Sequence, residues 1–202
     1  MSAVPTPDLT PVPASPSAWV VRFLGLIPPG GTVLDLACGR GRHVRLLLAR
    51  GYRVVAVDRD VSGLGGPGTD PGLEIVAADL ETPTGWPLGQ RRFEGIVVTN
   101  YLHRPLLPAI VAALAPGGTL IYETFAVGNE RFGRPANAHH LLKPGELIEA
   151  VRGRLEIVAY ETLETDDPRP AVVQRLAAVN RCGPITQPAT RSASSGPPKR
   201  RS

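Results

Sequence analysis

The sequence predicts an α/β fold: a doubly wound, mostly parallel seven-stranded sheet with a C-terminal antiparallel strand pair. Three observations predict it. Aliphatic runs alternate with segments of helical period through most of the chain, the order that builds a parallel sheet covered by helices on both faces. The first run, Thr-Val-Leu-Asp-Leu at 32–36, leads into a turn carrying Gly39 and Gly41, and a helical pattern restarts at Arg42. Strand, glycine turn and helix form a nucleotide-type cradle, because glycine permits the tight turn and a close approach of backbone to ligand. The last two runs, 156–163 and 171–180, have no room for a crossover helix between them, so they must pair antiparallel.

Taken in order, residues 1–16 carry Pro5, Pro7, Pro11, Pro13 and Pro16, a spacing that forbids helix and predicts a disordered lead. Val20, Phe23, Leu24 and Ile27 then fall at i, i+3, i+4, i+7, which predicts an amphipathic helix beside the first strand, stopped by Pro28-Pro29-Gly30-Gly31. Val33, Leu34 and Leu36 read as a strand buried on both faces. After the glycine turn, Val44, Leu47 and Leu48 give a helix its apolar face, and Gly51 is placed to end it. Tyr52 to Asp58 is a β-branched run closing on an acid. Between 61 and 72, Gly63, Gly65, Gly66, Gly68, Gly72, Pro67 and Pro71 leave room for a turn of helix at most.

Leu73 to Ala78 predicts a third strand, followed by Asp79, and Phe93 to Thr99 a fourth, followed by Asn100-Tyr101. Leu107, Ile110, Val111 and Leu114 mark a helix ended by Ala115-Pro116-Gly117-Gly118, and Thr119 to Phe125 a fifth strand. Residues 126–143 lack a clear period and are long for a connection, which points to a functional loop or disorder. That stretch carries Phe132, Arg134, Asn137, His139 and His140. Leu147, Ile148 and Val151 predict a short helix with Pro144 in its first turn.

With 202 residues the chain has room for one domain, expected over 17–182. Residues 183–202 hold four cations and no acid, so they account for the whole net charge of +4, and a disordered basic tail is expected there. The tail has no aromatic residue to interleave with its cations, which makes a nucleic-acid partner an unfavoured reading. Cys38 and Cys182 are distant and unpaired in spacing, and no run reaches the 18 or so apolar residues of a membrane helix. Met1 to Pro16 lacks the basic start and apolar centre of a signal peptide, so a cytoplasmic protein with no membrane partner is expected. His139 and His140 are adjacent, a poor spacing for two ligands of one metal, and no metal is assigned. Oligomeric state is not set by the sequence.

A dinucleotide-binding fold wants a small residue where this chain has Val44. The stretch Asp35-Leu36-Ala37-Cys38-Gly39-Arg40-Gly41 instead resembles the Asp/Glu-x-Gly-x-Gly-x-Gly motif of class I S-adenosylmethionine-dependent methyltransferases, with Ala37 for the first glycine. The resemblance runs over roughly 18–181. The loop Glu123-Thr-Phe-Ala-Val-Gly-Asn-Glu-Arg-Phe-Gly-Arg-Pro-Ala-Asn also looks like a small bacterial, tellurite-resistance-like subgroup.

The resemblance implies a Rossmann-like fold and S-adenosylmethionine as cofactor, with S-adenosylhomocysteine as product. It implies that Asp35 helps hold the methionine amino group and that Ala37, Cys38, Gly39 and Gly41 form the turn that meets the ligand. Asp58, with Arg59 beside it, would accept from the ribose hydroxyls, Asp79 and Leu80 would contact adenine, and Asn100 would flank the methyl-donor end. Independently, Asp35, Asp58 and Asp79 all fall at the carboxyl edge of the predicted sheet, where open α/β sheets bind ligands, and their charge suits a cationic nucleoside better than a phosphate.

Methyl transfer asks mainly for alignment and exclusion of water. If the acceptor must lose a proton, Asn100, Tyr101, His103 and Glu123 lie near the ends of the fourth and fifth strands as catalytic candidates. Tyr101, Phe132 and Arg134 are the substrate candidates. A small-molecule acceptor is the preferred expectation. The alternatives are an RNA or protein methyltransferase that uses the basic tail, and a cofactor-binding module without catalysis.

Overall fold

The computed structural model describes residues 15–65, 70–82 and 85–181. Residues 1–14 of the proline-rich lead, Cys182 and the whole basic tail of 183–202 lie outside the described residues.

Seven strands form one sheet in the order β3-β2-β1-β4-β5-β7-β6. They are β1 Thr32–Leu36, β2 Arg53–Asp58, β3 Leu73–Ala77, β4 Phe93–Thr99, β5 Leu114–Phe125, β6 Glu156–Thr165 and β7 Ala171–Val179. Strands β1 to β5 pair in parallel, and β7 inserts antiparallel between β5 and β6. The order runs outward from β1 to β3 and then jumps back to β4, so the switch point lies between β1 and β4. The crevice outside the carboxyl ends of those strands is where such sheets bind ligands.

Successive side chains of each strand point to opposite faces, and the aliphatic runs serve two cores. Leu34, Leu36, Val55, Val57, Ile96, Val98 and Tyr122 pack with α3 (Leu107–Ala112) and α4 (Glu146–Val151). Val33, Val54, Ala56, Val97 and Ile121 pack on the other face with α1 (Ala18–Phe23) and α2 (Arg42–Ala49). Asp35, Asp58, Thr99 and Glu123 fall by alternation on this second face, among residues of α1 and α2.

Two elements depart from expectation. The first helix is shorter than its apolar period: α1 ends at Phe23 and continues as a 3-10 turn over Leu24–Leu26. Ser17 caps its start by accepting from Trp19 and Val20 N–H, and the helix lies chiefly against β5 rather than β1. The helix expected to reach Leu114 stops at Ala112, and Leu114 to Gly118 join β5. Backbone partners on both sides decide this. Phe93 N–H donates to Ala113 C=O at 2.9 Å, and Gly117 N–H donates to Asn180 C=O at 2.6 Å. The Asn180 side chain also donates to the Leu114 and Ala115 carbonyls, both at 3.1 Å. Pro144 lies before α4 rather than in its first turn, because Gly145 is the cap.

Candidate active site

Between β1 and α2 the chain turns through residues 37–41. Cys38 N–H donates to Val57 C=O at 3.1 Å, which carries the β1–β2 ladder two residues past Leu36. Ala37, Gly39 and Gly41 all take positive φ, at 56°, 53° and 75°. At Gly41 the positive φ favours glycine, and a Cβ there would lie 2.3 Å from Cδ2, the movable end of the half-buried Leu64 side chain. At Gly39 a Cβ would meet nothing within 4 Å, so the backbone surface is accessible.

Asp58 ends β2 beneath this turn. Its Oδ2 accepts from Gly39 N–H at 2.8 Å and its Oδ1 from Asp60 N–H at 3.0 Å. An ionised carboxylate offers about four lone-pair sites, so each oxygen keeps capacity for a ligand hydroxyl. Asp35 is 1% exposed, and its Oδ2 has no hydrogen-bond partner. Burial pushes its pKa up to about 7, against the pull of Arg42 and of Val44 N–H. A buried acceptor without a donor is a costly arrangement that a ligand cation would relieve.

The first turn of α2 is tied to β4 and to the chain before α1. His43 is buried, and its Nε2 accepts from Ser17 N–H at 3.0 Å, which leaves Nδ1 to donate to Thr99 Oγ1 at 3.4 Å. Burial, with Arg42 adding to it, holds this imidazole down to about 3. Arg42 reaches Thr99 Oγ1 at 3.4 Å and Ser15 C=O at 3.3 Å. No sequence pattern marks Arg42 or Thr99, and His43, which reads as a surface histidine at a helix start, is instead a buried bridge.

A cavity of about 300 Å³ opens over the ends of β1 to β4. It is lined by Ala37 after β1, Asp58 and Arg59 after β2, Asp79, Leu80 and Glu81 after β3, and Asn100 and Tyr101 after β4. The predicted cofactor residues therefore gather here, with Asp35, Cys38, Gly39 and Gly41 in the adjoining strand and turn. Glu81 is an additional acid that the sequence reading missed. Cys38 is a buried thiol, pushed up to about 12 chiefly by burial and further by Asp35 and Asp58, so it fills space rather than reacts.

The catalytic and substrate candidates separate. Asn100, at φ 55°, donates its N–H to Glu123 C=O at 2.9 Å. Tyr101 Oη is buried without a partner, and burial together with Glu81, Asp79 and Asp58 pushes its ionisation up, so it stays a hydroxyl donor and does not serve as a base. His103 is partly buried two residues beyond and does not line the cavity. Glu123 is 8% exposed and committed to an ion pair, accepting from Arg175 Nε at 2.5 Å. Neither Phe132 nor Arg134 lines this cavity: Phe132 is 41% exposed with Arg131 stacked on its ring, and Arg134 lines a second cleft. Among the described residues no cluster of three His, Cys, Asp or Glu is placed to hold a metal, and no helix is long and apolar enough to cross a membrane.

Residues 12–164 match a sequence family described as a methyltransferase domain. Over 97 residues the chain is 36% identical to the trans-aconitate 2-methyltransferase of Rhizobium meliloti, a match covering 46% of this chain and 37% of that protein's length. Among solved structures, a TehB-like S-adenosylmethionine-dependent methyltransferase from Corynebacterium glutamicum superposes with a TM-score of 0.57 at 22% identity, covering 81% of this chain and 88% of that one. The 1,6-didemethyltoxoflavin-N1-methyltransferase of Burkholderia thailandensis, solved with 1,6-didemethyltoxoflavin and S-adenosylhomocysteine, gives 0.55 at 22% identity over 81% and 76% of the two chains. These likenesses show the same fold.

Proposed function

The chain belongs to the methyltransferase domain family, and from that premise we propose that it binds S-adenosylmethionine across the carboxyl ends of β1 to β4 and methylates a small-molecule acceptor. The observation that carries this reading is the pairing of Asp58, whose two oxygens accept from Gly39 and Asp60 N–H and retain free lone pairs, with the unpartnered Oδ2 of buried Asp35. One carboxylate suits a diol and the other a cation, and both lie on the same edge of the sheet.

What the cofactor supplies when bound is a methyl carbon activated by its sulfonium, with S-adenosylhomocysteine left after transfer. The chain's residues bind and align. Asp58 would accept from the ribose hydroxyls, and Asp35 would hold the ammonium of the methionine end. Leu80 gives an apolar wall for adenine, and Asp79 accepts from its amino group. The open backbone at Gly39 allows close approach. Tyr101 offers its unpartnered hydroxyl as a donor at the methyl end, beside Asn100. These groups position rather than deprotonate. Alignment and water exclusion provide most of the acceleration in such a displacement.

A small-molecule acceptor is supported by the relatives, a trans-aconitate 2-methyltransferase and a 1,6-didemethyltoxoflavin-N1-methyltransferase. Calorimetric titration with S-adenosylmethionine tests the reading. Binding is expected, lost on Asp58→Ala and kept within about twofold on Glu123→Gln, because Glu123 serves the Arg175 ion pair. No heat of binding at millimolar cofactor would reject it.

A further inference from the structure

A second cleft, of about 560 Å³, lies beyond β5 and is lined by Arg134, Pro135, Ala136, Asn137, His140 and Arg169. Its polar groups are two guanidiniums, an imidazole and an amide, with no carboxylate in the lining. Among the described residues no carboxylate is within ion-pair distance of Arg134 or Arg169, whereas neighbouring Arg131 is paired with Glu164.

The walls of the cleft are fixed. Asn129, 2% exposed, donates from Nδ2 to Pro135 C=O at 2.9 Å and accepts on Oδ1 from Val172 N–H at 3.2 Å, which stitches the 126–143 loop to β7. Arg169 crosses from the β6–β7 hairpin to donate to Arg134 C=O at 3.2 Å, with its guanidinium 5.9 Å from the Phe125 ring centroid. Asn137 Oδ1 accepts from His139 N–H at 3.0 Å.

Arg104 ties the loop that bears the cleft to the segment after β4. Arg104 donates to His139 C=O at 2.7 Å and to Leu141 C=O at 2.8 Å, while gripping Glu146 at 2.6 and 2.9 Å. Tyr101, in the first cavity, stands three residues before Arg104, a span of at most about 11 Å. Since β7 runs antiparallel to β5, the hairpin carrying Arg169 emerges on the same edge of the sheet as the ends of β1 to β4.

We propose that this second cleft recognises the methyl acceptor and that the acceptor is anionic, a small di- or tricarboxylate held by Arg134 and Arg169 with His140 and Asn137 as hydrogen-bonding neighbours. The proposal rests on the methyltransferase reading above for the identity of the ligand as acceptor, and on the cleft alone for its charge. Planar guanidiniums match carboxylates in pairs of parallel hydrogen bonds, and two of them lining one cleft favour a molecule with more than one carboxylate.

The test uses the full chain with tricarballylate and its uncharged triamide as probes, titrated calorimetrically with and without S-adenosylhomocysteine. Tricarballylate is expected to bind, and the triamide to bind at least about tenfold more weakly. The double variant Arg134→Gln, Arg169→Gln should lose about tenfold or more for tricarballylate while its affinity for S-adenosylmethionine stays unchanged. Equal affinity for acid and amide, wild-type affinity in the double variant, or no tricarballylate binding at millimolar concentration would each overturn the proposal. If tricarballylate binds and S-adenosylmethionine does not, the anion cleft stands and the methyltransferase reading falls.

Discussion

Asp35 and His43 are buried on the same face of the sheet, and both are held uncharged at mildly acid pH, which gives them opposite effects on stability. Asp35 is raised from 3.8 to about 7, so the folded chain keeps a proton that the unfolded chain has released, and this contribution is lost as pH rises through 7. His43 is lowered from 6.5 to about 3, so the unfolded chain takes a proton that the folded chain refuses, and this contribution is lost as pH falls below 6.5. Between about pH 4.5 and 6.5 the two slopes, each near 1.4 kcal/mol per pH unit, cancel. Urea midpoints of the wild type should therefore be nearly flat from pH 5 to 6.5. Asp35→Asn should expose the histidine and lose stability towards acid. His43→Gln, which keeps an acceptor for Ser17 N–H, should expose the carboxyl and gain stability towards acid. Parallel slopes in the two variants would refute the assignment. Asp35 was legible from its place before the glycines, whereas His43 was not, because its role depends on Ser17 and Thr99, which only the fold brings to it.

The strand–turn–helix element separates the cost of backbone from the cost of space. Gly39 and Gly41 share positive φ, but only Gly41 is pressed by a neighbour, Leu64. Gly39→Ala should cost roughly 1–2 kcal/mol for the left-handed backbone, and a methyl on the accessible surface should weaken S-adenosylmethionine binding about tenfold or more. Gly41→Ala should cost about 1–2 kcal/mol for the backbone and only slightly more for space, because the end of the Leu64 side chain can turn aside, and adding Leu64→Ala should remove only that small extra part. Chemical denaturation of the three variants beside cofactor titrations distinguishes the two kinds of loss. Ala37 already sits at φ 56° with a Cβ, which shows why glycine is usual at that place in the motif. Elements of this kind were readable because chain-local rules set them. The start of β5 was not: Ala115-Pro116-Gly117-Gly118 looks like a helix stop in isolation, and it becomes strand through partners at Phe93 and Asn180, far away in sequence.

At the scale of the molecule, the parallel sheet turned a one-dimensional regularity into a site. Asp58 is the last residue of β2, Asn100 stands one residue past β4 and Asp79 two past β3, so a sequence that marks strand ends also marks one rim, and the rim was legible for that reason. Glu123 lies inside β5, two residues before its end, and the cross-strand neighbour Arg175 claims it, a pairing set by the β5–β7 register and hidden until the antiparallel order is known. The charge distribution is also a property of the whole chain. All of the net +4 lies in residues 183–202, while residues 1–182 hold 18 basic and 18 acidic side chains, so any long-range attraction for a polyanion belongs to the tail. A small carboxylate held in the Arg134–Arg169 cleft makes no use of that field, because contacts inside a cleft are short-range and little screened. Deleting residues 183–202 should therefore leave S-adenosylmethionine affinity, tricarballylate affinity and their salt dependence within about twofold of the full chain, while retention on heparin falls sharply. A polymeric acceptor predicts the reverse: turnover on RNA or a basic-tail-binding protein would drop on deletion and show a steep salt dependence in the full chain. Measuring S-adenosylhomocysteine release from both chains over a range of salt concentrations decides between the two.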